Sequence, residues 1–187
     1  MSAFTDDDGN AIVEGYATVY DYPYDVGSFS EVVARGAGAK TAKDGDIRLL
    51  VNHDGVPLAR SKAGQGTLRV TSDDIGLRVE ASLDPANPTA AEVISALQRG
   101  DMDQMSFAFR AISDEWDGDR RTITEFRAFD VSLVTYPANP ATVVKLKPQP
   151  AERSDDGTAE TAEQPPSGGR SLEMARRQAE AAKSRRR

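Results

Sequence analysis

A mainly β fold with flanking helices (α+β), closing into a small closed or nearly closed antiparallel β-barrel, is what the 187-residue sequence predicts. Three observations carry that prediction. Short apolar or alternating runs recur between turn-rich segments, only one segment has full helical periodicity with signals at both ends, and the composition breaks sharply near Pro148.

In chain order, residues 12–20 are strand-like and run into the turn-rich DYPYDVGS. A weak helical pattern covers residues 37–43. Residues 47–53 (IRLLVNH) form a compact apolar run that ends in polar residues. Residues 67–70 and 77–83 make a hairpin across SDDIG, with Leu77, Val79, Ala81 and Leu83 on one face of the second strand. The clear helix follows: Asn87 caps it, Pro88 fits its first turn, Val93, Ile94 and Leu97 form its apolar stripe, and Gly100 ends it. Residues 105–112 and 122–126 pair around DGDR, and residues 129–135 give a further strand before Pro137.

Composition removes whole classes of chemistry. Cysteine is absent, which excludes disulfides, thiolate nucleophiles and cysteine-held zinc. His53 is the single histidine, so one chain cannot build a multi-histidine metal site, and neither cofactor nor metal is expected. Acid–base work near neutral pH must use His53, or a carboxylate or lysine with a displaced pKa. The net charge of −7 favours solubility and argues against general nucleic-acid binding by the main body. No run approaches the roughly 18 apolar residues of a membrane span, and no basic-then-apolar leader opens the chain, so neither a membrane nor a secreted setting is expected.

Hydrophobic residues make up 39% of the chain, a low share that a folded part diluted by a polar tail would explain. Residues 1–147 form the expected folded domain. Residues 148–169 contain no Val, Ile, Leu, Met or aromatic side chain, and so read as a flexible acidic linker. Residues 170–187 are rich in helix formers, with Ser171 as N-cap, and carry seven basic residues against two acidic ones. This basic tail is either a solvated, partly helical end or a docking element for an acidic partner; nucleic acid would be engaged only there.

Two residues stand out as candidates for chemistry. His53 lies in VNHDG at the end of an apolar strand, where alternation puts it on a face with Ile47, Leu49 and Val51. Ser106 lies in QMSFAFR, where Phe107 and Phe109 anchor one face and leave Ser106, Ala108 and Arg110 on the other. A rim histidine and an ordinary strand serine are the plainer readings of these residues taken singly. A third group to orient the imidazole could be Asp130, which shares a face with Ser132, or Glu125 in reserve. Asp54, adjacent to His53, points the wrong way for this task.

The local patterns EGYATVYD, LLVNHDGVPLARSKAGQGTLRV, DDIGLRVEASL, RGDMDQMSFAFR and FDVSLVTYPANPATV, in that order, resemble the caudovirus prohead protease family across residues 14–144. The family is related in fold to the herpesvirus capsid-maturation proteases, so the resemblance implies a herpesvirus-protease-like barrel surrounded by helices. It also implies a serine endopeptidase that cleaves scaffold and major capsid protein inside the procapsid, in the host cytoplasm, and then commonly itself. By motif, His53 takes the histidine of N-H-D and Ser106 the serine of M-S-F. Asp130 stands in the acidic position before V-S. The herpesvirus relatives place a histidine third, and with no second histidine here an acid is the natural substitute. Oxyanion donors are expected among backbone N–H groups near Ser106 or in residues 132–135, with Arg110 as a remote contributor. Fold analogy adds a homodimer, and the tail would be held by scaffold, portal or capsid, with the linker a region of self-cleavage.

Two other readings predict different behaviour. A catalytically silent, protease-like assembly factor would tolerate Ser106→Ala. A non-enzymatic β-barrel binding module would show no proteolysis and no reaction with serine-directed reagents.

Overall fold

The computed structural model describes residue 6 and residues 8–148; the expected linker beyond Pro148 and the basic tail lie outside the described residues. Eleven strands and two helices follow one another there: β1 (Ala11–Val19), β2 (Tyr24–Asp25), β3 (Ser30–Val33), α1 (Ala39–Asp44), β4 (Asp46–Val51), β5 (Asp54–Lys62), β6 (Gln65–Gly66), β7 (Leu68–Ser72), β8 (Gly76–Leu83), α2 (Pro88–Arg99), β9 (Gln104–Asp117), β10 (Arg120–Val134) and β11 (Val143–Leu146). The mainly β character is therefore present. No helix among the described residues is long and apolar enough to cross a membrane.

The strands form two sheets. One has the order β11-β1-β8-β7, and the other β2-β3-β10-β4-β5-β6 with β9 also on β10. The expected closed or nearly closed antiparallel barrel is not confirmed: no closed ring of strands is found among the described residues, and the pairing is not wholly antiparallel, since β10 runs parallel to both β3 and β4. The reason is positional. β9 occupies one edge of β10 along its whole length, so β3 and β4 share the other edge end to end. Between them that edge is closed by the α1 region: the Phe126 N–H donates to the Ala37 carbonyl at 3.3 Å, and the Ala128 N–H to Thr41 Oγ1 at 3.0 Å.

One core lies between the sheets. Val13, Leu77, Val79 and Leu83 from the first meet Leu49, Phe126, Val131 and Leu133 from the second. The β8 alternation holds, with Leu77, Val79, Ala81 and Leu83 all buried. Helix α2 adds Ala90 and Val93, and its ends match the sequence signals. Asn87 Oδ1 accepts from the Thr89 and Ala90 N–H groups at 3.0 and 3.4 Å, and Gly100 closes the helix at φ +74°. Gly15 lets β11 approach β1, since a Cβ there would stand 2.2 Å from the Val143 carbonyl oxygen.

Two sequence expectations change. Residues 122–126 and 129–135 are not separate strands but parts of the 15-residue β10, which register shifts bend at Ile123, Glu125 and Ala128. And the run ending at His53 stops as a strand at Val51. Asn52 and His53 instead form the two-residue turn of the β4–β5 hairpin, in which Val51 pairs with Asp54. Both have positive φ, +50° and +60°, as a type I′ turn requires.

Candidate functional site

The β4–β5 turn is fastened across the C-terminal end of β10. The Asn52 N–H donates to the Leu133 carbonyl at 2.9 Å, and Asn52 Oδ1 accepts from the Thr135 N–H at 3.1 Å. The His53 N–H donates to Ser132 Oγ at 3.2 Å, and its ring Nδ1 lies 2.7 Å from Asp130 Oδ1. Left-handed backbone at a residue with a Cβ costs about 1–2 kcal/mol, and these bonds offset it at two consecutive positions. The turn thus swings His53 out of the β4 plane, away from the face it would share with Leu49 and Val51, and over β10.

Asp130 is 9% exposed and Ser132 wholly buried, whereas the His53 side chain keeps 36% exposure. Ser132 Oγ donates to Asp130 Oδ1 at 2.8 Å, so one carboxylate oxygen takes both the hydroxyl and the imidazole. An ionised carboxylate only accepts, which puts the imidazole proton on Nδ1 and leaves the Nε2 lone pair as a base. This arrangement can orient and charge-compensate an imidazole that accepts a proton.

Ser106 reaches the same face by strand register. In the β9–β10 ladder it stands directly opposite Ser132, while Ala108 faces Asp130. Directly opposed residues of an antiparallel pair project to the same side, with Cβ atoms about 5 Å apart. Phe107 is buried on the opposite face, stacked on Phe109 with centroids 4.4 Å apart and tilted against Phe126 at 5.1 Å. Ser106 is half-buried and borders a cavity of ≈260 Å³ whose walls include Ala17, Phe29, Phe107, Phe109 and Asn139.

Glu125 and Arg110 stand elsewhere. Glu125 pairs with Lys40 at 3.2 Å, and both Glu125 and Arg110 line a different cavity, of ≈330 Å³, beside α1. It is Asp130 that holds the histidine. Sequence reasoning passed over two residues that build the site, Asn52 and Ser132. A signal existed for each: Asn is the favoured non-glycine residue for left-handed turns, and Ser132 alternates in phase with Asp130.

The Ser106 cavity also borders a polar cluster in which Tyr24 and Glu31 are buried. Tyr24 Oη donates to Glu31 Oε1 at 2.5 Å, Arg121 reaches Glu31 Oε2 at 3.1 Å, and Arg121 Nε holds Asp114 at 2.7 Å. Burial first, and then the bond to Glu31 and its charge, push the Tyr24 hydroxyl well above the ordinary tyrosine range.

Comparison with known proteins adds three findings. The family model described as caudovirus prohead serine protease matches residues 2–156, a span that contains His53, Ser106 and Asp130. The prohead protease of Enterobacteria phage HK97 is 28% identical over 141 residues, which cover 73% of this chain and 60% of that protein. The chain thus spans less than two thirds of the length of this relative. Among solved structures, a crystal structure of KSHV protease in complex with a hexapeptide phosphonate inhibitor aligns with TM-score 0.48 and 12% identity, covering 72% of this chain and 64% of the other.

Proposed function

The chain belongs to the caudovirus prohead serine protease family, and from that premise we propose that it is a serine endopeptidase of phage head maturation with Ser106 as nucleophile, His53 as general base and Asp130 as the residue that orients it. Its substrates would be the major capsid protein and scaffold within the procapsid, together with the chain itself. The observation that carries the assignment is the 2.7 Å contact between His53 Nδ1 and Asp130 Oδ1, which leaves Nε2 free to act as a base.

The chemistry follows in two halves. His53 Nε2 takes the Ser106 Oγ proton as that oxygen attacks the scissile carbonyl, then gives it to the leaving amine as the acyl-enzyme forms. Water, activated by the same nitrogen, releases the acyl group and restores Ser106. Ser132, the other serine near His53, is unsuited to attack: it is wholly buried and its proton is committed to Asp130.

For the developing oxyanion the best-supported donor is the Phe107 N–H. The Thr135 N–H is engaged by Asn52, and the Met105 N–H by Thr142 Oγ1 at 3.3 Å. Alternation directs the Phe107 N–H to the same edge of β9 as that of Met105, the edge away from β10, where β9 has no strand partner among the described residues. The cavity beside Ser106 would receive a substrate side chain against Phe107 and Phe109.

The test is co-expression of the chain, as wild type and as Ser106→Ala, with the capsid and scaffold proteins encoded beside it, read by intact mass. Cleavage by wild type alone supports the assignment and reveals the cut sites. Equal cleavage by both removes Ser106 as nucleophile, and shell assembly without cleavage by either favours the assembly-factor reading. The basic residues 170–187 fit recruitment to the procapsid: deletion of residues 148–187 should spare peptide hydrolysis and abolish packaging of the protease, and unchanged packaging would refute that role.

A further inference from the structure

We infer that Ser132 is a positioning residue of this site, one whose hydroxyl sets the relative placement of His53 and Asp130 across from Ser106. The inference rests on the reading of Ser106, His53 and Asp130 given above.

Four observations meet at this one atom. Ser132 Oγ accepts from the His53 N–H at 3.2 Å and donates to Asp130 Oδ1 at 2.8 Å, so it uses both of its hydrogen-bonding roles within the site. The side chain is 0% exposed, so water cannot replace either bond in place. The N–H it receives belongs to a residue held at φ +60°, where the backbone needs an external bond to stay. And Ser132 stands directly opposite Ser106 in the β9–β10 ladder, which places it between the strand that carries the serine and the turn that carries the histidine.

The two bonds do different work. The first fixes the turn backbone, and hence the origin and direction of the imidazole. The second fixes the carboxylate rotamer, because the oxygen that binds Nδ1 is also tied to Ser132. Methyl in place of hydroxyl removes both at once, leaving the part-buried His53 N–H without its protein acceptor and the carboxylate with one anchor fewer. A nearby hydrophobic core residue would have neither consequence.

The experiment uses the full chain and two readouts, the rate of labelling by a fluorophosphonate followed by intact mass, and the proton NMR of the imidazole. His53 is the only histidine, so its ring signals need no further assignment. Ser132→Ala should slow labelling by about 10–100-fold through misplacement of the base and should move or broaden the hydrogen-bonded Nδ1–H resonance. Ser132→Thr, which keeps the hydroxyl, should recover both signals. Wild-type labelling together with an unmoved imidazole resonance in Ser132→Ala would overturn the inference, as would Ser132→Thr behaving no better than Ser132→Ala. If Ser132→Ala does not fold, Ser132→Cys, slightly larger and a weaker donor, supports the same comparison by NMR. Failure of the underlying reading shows separately, as persistent labelling of Ser106→Ala, and the imidazole resonance recorded in that background still decides what Ser132 does.

Discussion

The Nδ1 nitrogen of His53 and the Oδ1 oxygen of Asp130 stand 2.7 Å apart although 77 residues separate them in the chain. The contact depends on a parallel neighbour relation: β4 lies beside the C-terminal half of β10, with Leu49 against Val131 and Val51 against Leu133, so the turn that follows β4 comes to rest over Asp130. Asp130→Asn keeps the size of the side chain but can present an N–H to Nδ1, which favours the tautomer with its proton on Nε2. We expect a fall in hydrolysis or fluorophosphonate labelling of about 10³–10⁴-fold, with the urea midpoint close to wild type. Loss of activity matched by loss of the folded state would mean that Asp130 is structural. A small effect on rate would mean that it does not orient the base.

How much of this was legible in the sequence depends on how local each cue is. The alternation of Leu77 to Leu83 and the Asn87–Gly100 helix frame are short-range signals, and both survive in the structure. Strand β5 gave no such cue: DGVPLARSK has little apolar alternation, and Pro57, which cannot donate to a ladder, falls where pairing with β4 is interrupted. Strand β10 read as two pieces because the polar residues Glu125 and Arg127 and the bulges around them break the period. The parallel pairings of β10, foreign to an all-antiparallel barrel, connect residues 90 apart with β3 and 82 apart with β4, separations that leave no local trace. His53, Ser106 and Asp130 came from motifs. The hydroxyl that ties two of them together did not, because a strand serine looks alike whether it faces solvent or a carboxylate.

Asn52 gives a test of the turn itself. It holds φ +50° and its side chain accepts from the Thr135 N–H at 3.1 Å. Asn52→Gly keeps the backbone conformation and loses only the side-chain bond, for a cost of about 0.5–1 kcal/mol. Asn52→Ala also loses the bond and in addition forces an alanine into the left-handed region, for a further cost of about 1–2 kcal/mol. Urea unfolding should therefore rank wild type above Asn52→Gly and Asn52→Ala lowest, and both variants should label with fluorophosphonate more slowly than wild type. Equal stability of the two variants would show that backbone strain is not stored in this turn.

The cluster beside the Ser106 cavity predicts a dependence on pH. Tyr24 is buried with its hydroxyl on Glu31, and its pKa is raised above the ordinary tyrosine value of 10.0 by burial and then by Glu31. A group whose folded pKa is raised contributes stability that is whole below the unfolded value. That stability drains as pH climbs past it, because the unfolded chain gives up a proton that the native chain retains. At pH 7, Tyr24→Phe should be less stable than wild type by about 1–3 kcal/mol, since the buried Glu31 carboxylate loses a donor. Between about pH 9.5 and 11 the wild type should lose stability faster than the variant and the gap should narrow, because only the wild type carries this linkage. Tyr20, also buried and also raised, is present in both proteins and cancels in the difference. Urea midpoints at pH 7, 9.5 and 11 decide the matter: a gap that stays constant across the series would mean that Tyr24 does not hold its proton in the native state as the bond to Glu31 requires.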